Sequence, residues 1–333
     1  MNEDNYIYSV TRIRALENKL LDKSKIDRMV EAKNPEEVIK VLYETSYAGS
    51  VSEIKDIGDY EEMLSKEIEN TYKMVKEMAP EPELIDIFLL KYDIHNLKVL
   101  MKSSFLNEDN DDLLTNIGTI EPVKLKEMIR EKNFIFLDPE IKRGLEEIVN
   151  SFSINPDPQV IDIILDRCLY TVMSQIAKNS NNSFMVEFVR LQIDLININM
   201  FIRVKAMGYG REFLKKVFIN EGRLDYNFFV DAMDEPVDIL KDKLLISDYS
   251  NVISEGIDNY IKTKSLMKFE KLSDDFLLDY TKKGKYVAFG IEPIVGYIMA
   301  KENEAKIIRI IMVGKINNID NELIRERLRD VYV

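Results

Sequence analysis

Apolar residues along this chain recur every three to four positions and seldom alternate with polar ones. Ile13, Leu16, Leu20 and Leu21 do so within a charged segment near the N-terminus, which predicts one face of an amphipathic helix. Asn34-Pro35-Glu36-Glu37 comes next as a helix start, with Asn34 as N-cap, Pro35 at the first helical position and Glu37 reaching back. Asp138-Pro139-Glu140 and Asp157-Pro158 read as further starts. Phe134-Ile135-Phe136-Leu137 is the one tempting strand, and it is short. Breaks gather at 107–122, 150–158, 208–236 and 281–296. None is a long Ser/Gly linker, so one continuous packed body is expected.

Three helical segments look alike when set side by side. Lys91-Tyr-Asp93-Ile-His-Asn96-Leu-Lys98 is the first, and Gln192-Ile-Asp194-Leu-Ile-Asn197-Ile-Asn199 the second. Glu302-Asn-Glu304-Ala-Lys-Ile307-Ile-Arg309 is the third. They share an acid, Asn three residues on, then an apolar and a polar or basic residue; the third departs by placing Ile307 where Asn is expected. A second element also recurs, from Val30 to near Tyr47 and from Val230 to near Tyr249. The fold expected is therefore all-α, with three related helical units of about 105 residues. Their predicted spans are 1–110, 111–225 and 226–333.

On an α-helix the positions four before and four and seven after a residue share its face. For Asp93 these are Leu89, Leu97 and Leu100, and for Glu304 they are Ala300, Ile308 and Ile311. For Asp194 they are Arg190, Ile198 and Phe201. Lys91, His95, Lys98 and Lys102 fall on a separate face, expected to be solvated. A carboxylate on an apolar stripe must find hydrogen-bond partners or become costly to bury. Two readings are open for Asp93, Asn96, Arg190, Asp194, Asn197, Glu304 and Arg309. They form a polar cluster that packs helices, balanced by Arg190, Arg12 or Arg14, or they line a concave partner-binding surface.

Composition narrows the picture. Of 333 residues, 12 are Gly and 9 Pro, about half the usual combined share of near 12%. That scarcity of turn residues favours long helices over a sandwich, a barrel or a Rossmann-like sheet. The net charge of −13 argues against a nucleic-acid partner. A single cysteine, Cys168, sits in an apolar helical pattern and suits a reducing, cytoplasmic setting. The opening shows no signal-peptide pattern, and the apolar run 287–300 is short of the roughly 20 residues a membrane helix needs.

Catalytic signatures do not assemble. His95 is the one histidine, which leaves triads and His-rich metal sites without members. Gly208-Tyr-Gly210 reads as a helix C-cap and turn, not a phosphate cradle. Asp274-Asp275-Phe-Leu-Leu-Asp279 comes near the aspartate-rich helix of all-α isoprenoid synthases but is spaced DDxxxD, with no second such helix. No catalytic residue, cofactor, metal or small-molecule substrate is expected.

Four passages carry a family resemblance. They are Tyr6-Ile-Tyr-Ser-Val-Thr-Arg12-Ile-Arg14-Ala-Leu-Glu17-Asn-Lys-Leu-Leu21, Leu42-Tyr-Glu-Thr45-Ser-Tyr47, Tyr92-Asp93-Ile-His-Asn96-Leu-Lys98, and Ile291-Glu292-Pro293-Ile-Val-Gly-Tyr297 leading into Glu304 to Arg309. In their order and spacing the chain resembles the C subunits of the V/A-type rotary ATPases and ATP synthases, relatives of the d subunit of the eukaryotic V-ATPase. The resemblance covers nearly the whole chain. It implies an all-α, pseudo-threefold, funnel-like protein without catalysis of its own. Such a subunit sits peripherally on the cytoplasmic face of the membrane, on the membrane rotor ring. It receives the central-stalk subunits in a socket and passes on rotation coupled to proton or sodium transport. The competing readings are a generic α-helical repeat scaffold and, more remotely, an all-α diphosphate-processing enzyme.

Overall fold

A computed structural model describes residues 6–52, 56–154 and 156–333, and every regular element among them is helical. Residues 1–5, at the start of the opening segment that shows no signal-peptide pattern, and Asn155 in the second break lie outside the described residues. In chain order the helices are α1 Ile7–Glu17, α2 Lys23–Glu31, α3 Pro35–Leu42, α4 Ala48–Val51, α5 Tyr60–Met78 and α6 Pro82–Leu106. Next come α7 Pro122–Glu131, α8 Pro139–Ile154, α9 Gln159–Asn179, α10 Ser183–Ala206 and α11 Arg211–Val217. The remainder are α12 Tyr226–Asp231, α13 Ile239–Lys243, α14 Ser250–Thr263, α15 Met267–Lys282, α16 Glu292–Ile316 and α17 Asn321–Arg327.

Local chemistry explains most boundaries. Asn34 Oδ1 accepts the Glu37 N–H at 2.9 Å, Glu37 Oε2 accepts the Lys33 N–H at 2.8 Å, and Pro35 opens α3. Asn182 caps α10 in the same manner, through the Met185 N–H. Gly208 ends α10 in the left-handed region at φ 72°, the C-cap expected of it. The tempting strand is instead a turn before α8. Phe134 and Leu137 are buried there while Ile135 and Phe136 are exposed, a tight turn splitting an apolar run between core and solvent. The last predicted break is also shorter than expected, because α16 begins at Glu292 and carries Gly296 inside it.

Packing divides the chain into two compact units. One unites Met1–Pro82 with Ile246–Val333, and the other is Glu83–Leu245. In the first, α16 lies at the centre against α5, α15, α1, α3 and α17. Its 25 residues bury Ile294, Val295, Ile298, Ile307, Ile308 and Ile311, and with them the polar Lys301, Glu302, Asn303 and Glu304, so the helix is packed on most of its surface. In the second unit α9 packs on α8, α10 and α11. Phe88 of α6 meets Phe188 of α10 with ring centroids 5.7 Å apart. Cys168 is fully buried, its thiol directed at the Glu140 carbonyl. The three segments that look alike in sequence all lie on the longest helices, α6, α10 and α16.

Candidate functional site

Asp93 and Asn96 lie on the buried face of α6 and hold the segment that leads into α7. Asp93 Oδ2 accepts the Thr119 N–H at 3.0 Å and its hydroxyl at 2.6 Å, while Oδ1 accepts the Ile120 N–H at 3.1 Å. Asn96 faces Thr115 with both ends of its amide. Nδ2 donates to the Thr115 carbonyl at 2.8 Å, and Oδ1 accepts the Thr115 N–H at 2.9 Å. Burial raises the Asp93 carboxyl above its usual range, against the bonds from Thr119 and Ile120 that pull it down. The expected face-sharing is present, but the charge is met by backbone dipoles and a hydroxyl.

Asp194 and Asn197 repeat the arrangement on α10. Asp194 Oδ2 accepts the Arg223 N–H at 3.1 Å and Oδ1 the Leu224 N–H at 3.0 Å. Asn197 donates to the Ile219 carbonyl at 2.7 Å and accepts the Ile219 N–H at 3.0 Å. A glycine makes each close approach possible. A Cβ on Gly118 would overlap Asp93 Oδ1, and one on Gly222 would overlap Asp194 Oδ1.

The third acid stands in different company. Glu304 Oε1 accepts the Leu21 N–H, and Oε2 takes the Tyr47 hydroxyl at 3.1 Å and the Lys301 ammonium at 3.0 Å. Lys301, 1% exposed, also reaches Glu67 at 3.0 Å and lies 4.0 Å above the Tyr47 ring. Burial alone would pull this ammonium down. The surrounding oxygens of Tyr47, Glu304 and Glu67 more than offset that and hold it well above its ordinary value. Leu90 and Leu191, both buried, occupy the matching place three residues before Asp93 and Asp194. In the third copy a buried lysine paired with acids takes the place of that leucine, and Ile307 takes the place of the asparagine.

The expected counter-charges are elsewhere. Arg190 is exposed, Arg12 donates to the Tyr8 hydroxyl at 2.9 Å, and Arg14 pairs with Glu17 and caps the carbonyls of Gly284, Lys285 and Val287. Four residues before Asp194, Arg190 projects away from the packed side of α10, so shared face by spacing did not become contact. Arg309 is also exposed and chelates Glu61 of α5 at 2.8 Å. The face expected to be solvated is in part an ion-pair ladder, since Lys98 reaches Asp166 at 2.7 Å and Lys102 reaches Asp162 at 2.8 Å. His95 is exposed, with Nε2 2.9 Å from the Leu113 carbonyl.

The aspartate-rich stretch of α15 is likewise engaged in packing. Asp274 binds Lys306 at 2.7 Å and Arg329 at 2.9 Å, and Asp275 binds Lys271 and the Asp330 N–H. An open groove of about 610 Å³ lies beside the C-terminal end of α6, where Lys126 and Asp111 pair with each other. Among the described residues no group of three or more His, Cys, Asp or Glu is placed to hold a metal ion, and no helix is long and apolar enough to cross a membrane. Chemistry at these positions is that of pinning helices to loops.

The sequence has relatives over nearly its whole length. The profile of the ATP synthase (C/AC39) subunit family matches residues 9–327. The chain belongs to this family. It is 28% identical over 320 residues to the C subunit of the V-type sodium ATPase of Enterococcus hirae, covering 96% of this chain and 97% of that one. To the C subunit of the A-type ATP synthase of Methanocaldococcus jannaschii it is 29% identical over 346 residues, covering 97% and 86%. To that of a Desulfurococcus species the identity is 25%, covering 98% and 91%. Membership in this family makes the chain an accessory subunit of a rotary ATPase and not a catalytic one.

Sequence reasoning missed Lys301, Glu67 and Tyr47, which form an ionic centre around Glu304 of α16. A lysine within Lys-Glu-Asn-Glu-Ala-Lys reads as surface. Its position opposite Leu90 and Leu191 in the other two copies was the available signal.

Proposed function

We propose that this subunit is the non-catalytic rotor part that joins the central stalk to the membrane rotor ring of a V/A-type ATPase. Rotation passes through it in ATP-coupled proton or sodium transport. In this reading the chain is built from three related helical modules, receives the end of the stalk in a socket, and sits peripherally on the cytoplasmic face of the membrane. The names of its relatives, the C subunits of a sodium ATPase and of ATP synthases, support the assignment to the complex.

The observation that carries the mechanical part is the set of buried carboxylates on α6, α10 and α16, each bonded to a backbone N–H of a separate segment. A coupling part must resist shear. Close-packed helices have little free volume to give up, and pinning each to its neighbouring segment removes sliding along the helix axis. The polar repeat positions are spent on this internal work, which favours the packing role over the socket lining for Asp93, Asn96, Asp194, Asn197 and Glu304.

The test is reconstitution. The purified chain, mixed with the two central-stalk subunits of its own complex, should co-elute with them in size-exclusion chromatography. It should also bind membranes that carry the rotor ring and not membranes stripped of it. Absence of both associations would sink the reading.

A further inference from the structure

Beyond α17 the chain runs through residues 328–333 without regular structure and lies as a strap on the unit it belongs to. The Leu328 N–H still donates to the Arg325 carbonyl at 3.2 Å. From Arg329 onward, no residue joins a backbone–backbone hydrogen bond among the described residues. Side chains of the body hold the strap instead. Asp275 Oδ1 of α15 accepts the Asp330 N–H at 2.7 Å, and Asn303 Nδ2 of α16 donates to the Asp330 carbonyl at 2.7 Å, so one backbone residue is gripped at both its polar groups. Arg329 Nε donates to Asp274 Oδ2 at 2.9 Å. The Lys285 ammonium donates to the Tyr332 carbonyl and lies 4.5 Å from the centroid of that ring.

Tyr332 is the anchor. Its ring is buried, and its hydroxyl donates to Glu17 Oε1 of α1 at 3.2 Å. Gly296 makes the seat, since a Cβ at that position of α16 would overlap the Tyr332 hydroxyl. Glycine inside a helix costs about 1 kcal/mol relative to alanine, and here it opens a notch the size of a phenol in an otherwise packed helix. The aspartate pair that stands out in the sequence also finds its use: Asp274 binds the strap's arginine, and Asp275 binds the next amide.

Bound peptides are recognised in this way: main-chain groups supply hydrogen bonds, and a pocket for one or two side chains supplies specificity. The strap shares no backbone ladder with the body, so it can leave without unwinding a helix. Its departure leaves Glu17, Asp274, Asp275, Lys285 and Asn303 facing a vacant seat. We propose that this face is a peptide-binding slot, filled in cis by Arg329–Tyr332, and that it takes another short peptide carrying arginine and, three residues on, tyrosine when the strap opens. Asp275 and Asn303 touch main chain alone and accept any residue between the two. Asp274 selects the cation, and the Gly296 notch with Glu17 selects the phenol. The slot does not depend on the coupling role, and either can hold without the other.

The probe is the peptide Leu-Arg-Asp-Val-Tyr-Val, the sequence of 328–333, labelled with fluorescein and titrated into the full chain while anisotropy is read. Wild type should bind it weakly, because the strap competes and only the open fraction is available. Tyr332→Ala frees the notch and should bind the peptide about tenfold more tightly or better. A peptide with alanine in place of the tyrosine should not bind the variant. No binding by the variant, equal binding by variant and wild type, or equal binding of the two peptides would overturn the slot. Where Tyr332→Ala does not fold, hydrogen exchange of wild type decides. The Asp330 amide should exchange about tenfold faster or more than the Ile298 amide inside α16, since the strap opens without unfolding the unit. Equal protection of the two amides would make the strap part of the core and overturn the proposal.

Discussion

Gly118 stands against Oδ1 of Asp93 so closely that no side chain fits between them, and Gly222 stands in the same relation to Asp194. In both cases the glycine precedes the residues whose N–H groups bind the carboxylate, so the chain can pass over the helix only where it has no Cβ. Gly118→Ala and Gly222→Ala should each destabilise by about 1–3 kcal/mol, the cost of forcing a methyl into a filled site. Gly49→Ala, where no atom lies within 4 Å of the added carbon, should change stability little. Urea midpoints of the three variants check this, and equal midpoints would refute the close-approach account.

The amide clamps yield a second expectation. Asn96 and Asn197 each use donor and acceptor on a single backbone residue, Thr115 and Ile219. Replacement by Ala leaves an N–H and a C=O without partners, buried at Ile219 and half-buried at Thr115, at up to about 1–3 kcal/mol each and less at Thr115. The reverse change in the third copy should not repair anything. Ile307, 1% exposed, packs in the core, and Ile307→Asn would bury an amide among apolar neighbours. Loss of stability in all three variants is the expected result of denaturant titration, and a stabilising Ile307→Asn would contradict it.

How far the sequence disclosed this arrangement depends on what each contact is made of. The acid and Asn three residues on were legible because helical periodicity places both on one stripe, and Asp93, Asn96, Asp194 and Asn197 are indeed buried together with Leu97 and Ile198. Their partners were not legible, because a backbone N–H carries no residue identity. Thr115 and Ile219 do the same work with unrelated side chains. The glycines leave a trace in the sequence, Gly118 and Gly222 each preceding a clamped pair of amides, but a glycine between two helices also reads as an ordinary loop. Arg190 misled for the opposite reason: spacing assigns a face, while packing decides which part of that face is covered.

Lys301 supplies a third expectation. Lys301→Leu installs the residue of the other two segments but leaves the buried Glu304 and the half-buried Glu67 without their cation, which typically costs about 3–5 kcal/mol. The ammonium is held above its ordinary value of 10.5 in the folded protein. Its contribution is therefore complete below 10.5 and is lost as pH rises through the higher folded value. Unfolding midpoints of wild type and variant should lie far apart at about pH 7 to 9 and converge at more alkaline pH. A gap that stays constant to about pH 12 would show that charge is not what Lys301 contributes.

Adjacent aspartates on α15 should respond to acid in opposite directions. Burial opposes ionisation of Asp274, but Lys306 and Arg329 prevail and hold its carboxyl below the usual value of 3.8. A lowered folded value means stability that is present above 3.8 and disappears as pH falls through the folded value. Asp274→Asn should thus cost about 1.5–3 kcal/mol at pH 7, as expected for bonds between charged groups, and the difference should shrink below pH 3.8. Asp275 is raised, burial outweighing the bonds from the Asp330 N–H and Lys271. Its protonation favours the folded state, fully below 3.8 and progressively less as pH climbs through the folded value. Acidification should therefore weaken wild type relative to Asp274→Asn and strengthen it relative to Asp275→Asn. Urea midpoints measured from about pH 3 to 7 decide the matter, since parallel pH profiles for the two variants would show that ion pairing at Asp274 and burial at Asp275 do not set these carboxylates apart.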